Sequence, residues 1–153
     1  MEWIAALQGK VVGLDTAPLI YFIEEDEAHL ETVRPFFEAM DQGEFGVVTS
    51  VITLLEVLVH PLRRGDTVLA QQYRDILLSA EGLTTILLSH DIAEEAARLR
   101  AAHNIRTPDA IQMAAAIHAG ASFFLTNDDR LPVLPELTVL VLDELKERSQ
   151  QTG

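Results

Sequence analysis

The chain has 153 residues, 48% of them apolar, no cysteine, and a formal net charge of −13. That length and apolar content indicate one domain with a buried core and exclude intrinsic disorder. The missing cysteine excludes disulfides, thiolate metal sites and a cysteine nucleophile, and the charge excludes a broad basic face for gripping nucleic acid.

An acidic chain can still act on nucleic acid through bound cations and a few local arginines, or present its surface to a basic protein partner. The N-terminal stretch MEWIAALQGK is too short, and too acidic at its start, for a secretory signal. No uninterrupted apolar run reaches the ~18 residues of a membrane span. These readings predict a soluble cytoplasmic protein with no membrane partner.

KVVGLD, from Lys10 to Asp15, is a short apolar run bounded by turn-type residues and predicts a buried strand. APLIYFIEEDE predicts a short helix running into an acidic loop. EAHLETVRPFFEAMDQG has helical spacing, with Gly43 placed to cap it. EFGVVTS predicts a second strand, and SVITLLEVLVHPL a helix that Pro61 helps to stop. DTVLAQQYRDILLSA is an amphipathic helix and LTTILLS a third strand. DIAEEAARLRAAHN is a helix with Asp at its start and Asn near its end. IRTPDAIQMAAAIHAG opens with Thr107, Pro108 and Asp109, a helix start, and closes at Gly120. SFFLTND and LTVLVLD predict a fourth and a fifth strand.

Strands alternating with helices predict an α/β domain with a mainly parallel central sheet. The near-continuous apolar strands fit a sheet covered on both faces. Ligand sites in such folds lie beyond the carboxyl ends of the strands. Asp15 ends one strand and Asp128 follows another, while Asp109 opens a helix. Glu56 lies inside VITLLEVLV, where a buried, unpaired carboxylate would cost several kcal/mol. Each acid alone has an ordinary reading: a turn, a helix-dipole partner or a solvated side chain. Their shared placement points to one site. Two carboxylates ~4 Å apart repel by about 4 kcal/mol at an effective dielectric near 20. A cluster of four therefore needs protons or cations. Oxygen donors without Cys or a His cluster favour Mg²⁺, with Mn²⁺ also suitable, over zinc. Such a site suits phosphodiester hydrolysis.

The segments VGLDTAPLIYFIE, TSVITLLEVLVHPLR, RTPDAIQMAAAIHAGA and FFLTNDDRL resemble, in order, the four signature segments of PIN-domain nucleases. In particular they resemble the small VapC-type toxin of bacterial toxin–antitoxin pairs. The resemblance implies a single PIN-like α/β/α domain over residues 1–147, followed by a short polar tail at 148–153. It implies a metal-dependent endoribonuclease with Asp15, Glu56, Asp109 and Asp128 as catalytic acids. Asp15 and Asp109 would bind metal directly, with Asp128 completing the site or a second ion position. Glu56 would act through water. Thr16, Thr126 and Asn127 are expected to orient these groups. Where many such toxins carry Ser or Asn after the first Asp–Thr pair, this chain has Ala17 and Pro18. The expected partners are RNA, a second copy in a homodimer, and a small antitoxin whose Arg-containing segment crosses the acids. Its apolar helix would lie along residues 19–37 and 54–62.

Alternatives within the fold are a PIN-domain RNase of housekeeping RNA processing, and a catalytically silent PIN-like binding module. The second would lack one or more acids, and none is missing. No G-x-x-x-x-G-K loop is present, which disfavours a P-loop enzyme. Arg106 and Arg130 could meet a phosphate or balance the acids. Asp129, His60, His103, His118, Arg63 and Arg64 read as surface or packing residues, and Phe36 and Phe37 as helix-packing or dimer residues.

Overall fold

The computed structural model describes residues 1–152, with side chains through Arg148. The expected polar tail at 148–153 thus lies, apart from Arg148, outside the described side chains. In chain order the elements are α1 (Glu2–Ala5), β1 (Val11–Leu14), α2 (Thr16–Ile23), α3 (Leu30–Asp41), β2 (Gly46–Ser50) and α4 (Val51–Arg64). There follow α5 (Thr67–Ser79), β3 (Leu83–Ile86), α6 (His90–Ala102), α7 (Thr107–His118), β4 (Phe123–Thr126), β5 (Thr138–Val141) and α8 (Leu142–Thr152).

The five strands form one sheet in the order β3-β2-β1-β4-β5, every neighbouring pair parallel. The order reverses at β1, between β2 and β4. In doubly wound sheets that reversal opens a crevice beyond the strand ends. Side chains alternate across the sheet, so each strand feeds two cores. Val12 and Leu14 pack with Leu19, Phe36, Phe37, Val57, Tyr73 and Leu142 on one face. Val48 and Phe124 pack with Ile92, Leu99, Met113 and the alanines of α7 on the other. Phe36 and Phe37 are wholly buried, in edge-to-face contact, so their role is core packing.

The Ala-rich body of α7 is explained by close approach. A Cβ on Gly13 would lie 2.6 Å from the Ala116 Cβ and 2.8 Å from Phe124 Cδ1. Glycine in β1 and alanines on α7 let the helix settle directly on the sheet.

Two expectations need correction. Pro61 does not stop its helix: α4 runs on to Arg64 and ends at Gly65, left-handed at φ 70°. A proline near the C-terminus removes one backbone hydrogen bond, whereas a left-handed glycine turns the chain out of the helix. Glu56 is not buried. It stands exposed, because α4 also turns Leu55, Val59 and Leu62 to solvent. Apolar neighbours in sequence overstated the burial of that helix. The short α1 and the terminal α8 were not anticipated; β5 ends at Val141 and the chain passes directly into α8.

Candidate active site

β1 delivers Asp15 to the crevice, where the residue also caps α2: its Oδ1 accepts from the Thr16 N–H at 2.8 Å. β4 delivers Thr126, Asn127 and Asp128 one strand away. Asp109 sits in the first turn of α7, where an acid complements the helix dipole. Glu56 comes from the middle of α4. All four acids, with Thr16, Thr126, Asn127, Arg106 and Arg130, line one open cleft of about 430 Å³.

Asp15 is the deeply set member. Its Oδ2 accepts from Thr126 Oγ1 at 2.7 Å. Burial pushes its carboxyl above the usual range; the Thr126 and Thr16 hydrogen bonds oppose this, and the charges of Asp109 and Glu56 add to it. No Lys or Arg forms an ion pair with Asp15 or Glu56 among the described residues. Asp109 instead pairs with Arg106, Nε to Oδ2 at 3.1 Å. Asp128 pairs with Arg130, whose Nε donates to Oδ1 at 3.0 Å and whose backbone N–H donates to the same oxygen at 2.9 Å. The guanidinium holds the Asp128 carboxyl below its ordinary range.

The carboxylates share the cleft but are not drawn into a tight cage. Among the described residues, no three acid or imidazole groups stand close enough together to hold a metal ion as placed. Mutual repulsion and the two arginine pairs account for that spread. The donor set fits a hard divalent cation: it is all oxygen, and it contains a half-buried carboxylate with no cationic partner among the described residues. Asp15, Asp109 and Asp128 are the residues that would hold it.

Beneath the acids lies a buried polar network that sequence reasoning missed. Gln112, one helical turn after Asp109 and buried, donates from Nε2 to Thr16 Oγ1 and Thr53 Oγ1, and accepts from Ser50 Oγ. Thr16 Oγ1 in turn donates to Glu56 Oε1 at 2.7 Å. Glu56 is thereby fixed on one oxygen, with the other open to the cleft. The available signal was a lone amide in an alanine-rich helix, at i+3 from an acid.

Asn127 lines the cleft, but its side chain makes no hydrogen bond to the four acids. Its Nδ2 donates to Tyr21 Oη at 3.2 Å, and its Oδ1 accepts the Asp143 N–H at 3.0 Å, which ties the cleft edge to the start of α8. His29 stacks on Tyr21 with ring centroids 4.0 Å apart and bonds Asp26 at 2.6 Å and Asp143 at 3.0 Å. His60 and His118 are exposed, and Asp129 is exposed on the cleft rim.

Residues 12–137 match the family model described as PIN domain. No curated protein matches. Among solved structures, VapBC2 of Rickettsia felis bound to a promoter DNA fragment is similar with a TM-score of 0.67 at 20% identity, covering 86% of this chain and 98% of that one. A toxin–antitoxin complex from Klebsiella pneumoniae gives 0.60 at 23% identity, covering 84% and 95%. VapC20 of Mycobacterium tuberculosis, described as a sarcin–ricin loop cleaving toxin, gives 0.61 at 20% identity, covering 74% and 86%. At these identities the likeness is one of fold. No helix among the described residues is long and apolar enough to cross a membrane.

Proposed function

The chain belongs to the PIN-domain family, and from that premise we propose that it is a divalent-metal-dependent endoribonuclease, the toxin of a toxin–antitoxin pair. The observation that carries the reading is Asp15: a half-buried carboxylate, unpaired with any cation among the described residues, beside Asp109 and Glu56 in a shared cleft. That arrangement is unfavourable for a purely structural cluster and favourable for one that receives a cation. The toxin descriptions of two of the similar structures support the same class. All four acids are present, which disfavours a silent binding module.

When bound, Mg²⁺ or Mn²⁺ supplies charge compensation for the phosphoryl oxygens and a more acidic water. The chain's own residues do the rest. Thr126 and the Thr16 N–H fix both oxygens of Asp15, so its orientation is set in advance. Thr16 holds one Glu56 oxygen, which leaves the other to accept a proton from the attacking water. Arg106 and Arg130 stand at the rim, where each can meet a phosphate oxygen. A homodimer, a cytoplasmic setting and a small antitoxin with an Arg-containing segment belong to the same proposal.

The test is cleavage of single-stranded RNA with Mg²⁺, with Mn²⁺ and with EDTA. Activity is expected with either metal, and is expected to vanish in EDTA and in Asp15→Asn or Asp109→Asn. Full cleavage in EDTA would overturn the mechanism.

A further inference from the structure

A second cavity, of about 590 Å³, opens directly beside the acid cleft and shares Arg106, Asp109, Asp128 and Arg130 with it. Its far wall is Arg100 at the end of α6, His103 and Asn104 in the loop before α7, and the segment after Arg130. The chain holds only eleven Lys and Arg against 24 Asp and Glu, yet three arginines line this groove. Arg100 is exposed on its wall and anchored at one point. Its Nε donates to the Ile105 carbonyl at 3.0 Å, which fixes the guanidinium plane, and its terminal amino groups have no partner among the described residues. Arg106 engages Asp109 through Nε alone, so its outer amino groups are also unengaged.

We propose that this groove is a phosphate-binding subsite that holds the RNA backbone next to the scissile phosphate. The proposal rests on the ribonuclease reading of the cleft and adds to it the side from which the strand enters. A planar guanidinium held by Nε presents its two outer amino groups as a fork, the geometry that meets two phosphate oxygens. The continuity of groove and cleft selects a polymer: one phosphate at the acids, its neighbour at Arg100. No Phe, Tyr or Trp lines the groove, whose one ring is His103, so its main grip is that of the arginine forks on the backbone. At a net charge of −13 the protein's overall field repels RNA, which makes such a local cationic seat necessary for a strand to approach.

The probe is a fluorescein-labelled, mixed-sequence single-stranded RNA. Binding is read as anisotropy on the full chain with Mg²⁺ present and Glu56→Gln as background to suppress turnover. Arg100→Ala is expected to raise Kd roughly tenfold and to lower the salt slope by about 0.7. Because Arg100→Ala also removes the bond to Ile105, Asn104→Glu is the second variant. It places a negative charge on an exposed groove position, breaks no side-chain hydrogen bond, and is expected to weaken binding similarly. Lys10→Ala, before β1 at the opposite end of the sheet, should leave Kd unchanged.

Unchanged Kd and slope in both groove variants would overturn the subsite, and so would Arg100-dependent binding of an oligoglutamate in place of RNA. Cleavage of the same RNA by the native chain is scored separately. Groove-dependent binding without cleavage would keep the subsite and end the nuclease reading. Cleavage with groove-independent binding would end the subsite alone.

Discussion

Thr126 donates its hydroxyl proton to Asp15 Oδ2 at 2.7 Å, across 111 residues of chain, while its oxygen accepts the Asp128 N–H at 3.0 Å. One buried hydroxyl at the end of β4 therefore sets both the orientation of the first acid and the turn that carries the last. Thr126→Val keeps the shape and removes the bond. The loss should cost about 1–3 kcal/mol in urea unfolding and reduce cleavage, while Thr126→Ser should restore most of both. A valine variant with native stability and native cleavage would show that Asp15 needs no such support.

Asp15 yields a prediction with a definite sign. Its folded carboxyl lies above the ordinary Asp value, mainly through burial, so the ionised form is disfavoured by folding. That cost is absent below the unfolded value near ~3.9, grows as pH rises through the folded value, and is complete above it. Asp15→Asn removes the cost but forfeits one of two hydrogen bonds at every pH. The stability of the variant relative to the native chain, measured without metal, should therefore increase from pH 4 to pH 7. Saturating Mg²⁺ should reverse the ranking, because only the native site gains binding energy. A difference flat with pH would remove burial of an unneutralised charge from the account.

Gln112 is the strongest test of the buried network. Gln112→Leu strands Ser50 Oγ without an acceptor and leaves Thr16 and Thr53 without their amide donor. Each stranded buried group costs about 1–3 kcal/mol. The expected result is a marked fall in the denaturant midpoint, together with slower cleavage, because Thr16 would no longer be held in place beneath Glu56. A change in stability alone, with native cleavage per folded molecule, would confine Gln112 to packing.

His29 offers a test at the α8 side. The bond from His29 holds the Asp26 carboxyl below its usual range. A depressed carboxyl contributes stability above the unfolded value, and the contribution is lost as pH falls through the folded value. His29→Phe keeps an aromatic ring on Tyr21 and removes the bonds to Asp26 and Asp143. The native chain should be the more stable at pH 7, and its lead should narrow as pH falls from the ordinary Asp value of about 3.9 through the lower folded value of Asp26. An unchanged gap at pH 3 would assign the difference to ring packing.

The sheet and the placement of three acids were legible because each rests on a local signal. Apolar runs ended in Asp15 and in the turn before Asp128, and Asp109 followed Thr107 and Pro108 at a helix start. What was not legible depends on contacts distant in sequence. Nothing near Gln112 announces Ser50, 62 residues away. Nothing near His29 announces Asp143, 114 residues on. Glu56 was misjudged because one helix can be apolar on a face that no other element covers. Arg100 was passed over because its groove exists only once the loop after α6 has folded back against the segment following β4.

Arg130 supplies the last prediction. Its pairing with Asp128 lowers that carboxyl and raises the guanidinium's own value, so the two partners agree that the bond is attractive. A cation seeking Asp128 must displace it. Arg130 is 80% exposed, and solvent screens an exposed ion pair to little net worth, so the competition is modest. Arg130→Ala should tighten Mg²⁺ binding by up to about fivefold, read as the Mg²⁺ concentration that half-saturates the shift in Tm. The gain should shrink in high salt, which screens the native pair as well. The same variant lacks a rim contact for phosphate, so its Kd for RNA should rise while its Mg²⁺ requirement falls. An antitoxin arginine reaching these acids would act as Arg130 does, and its inhibition should likewise weaken as Mg²⁺ is raised. Mg²⁺ binding indifferent to Arg130 would show that the guanidinium and the metal ion never compete for Asp128, and that Asp128 stands outside the metal site.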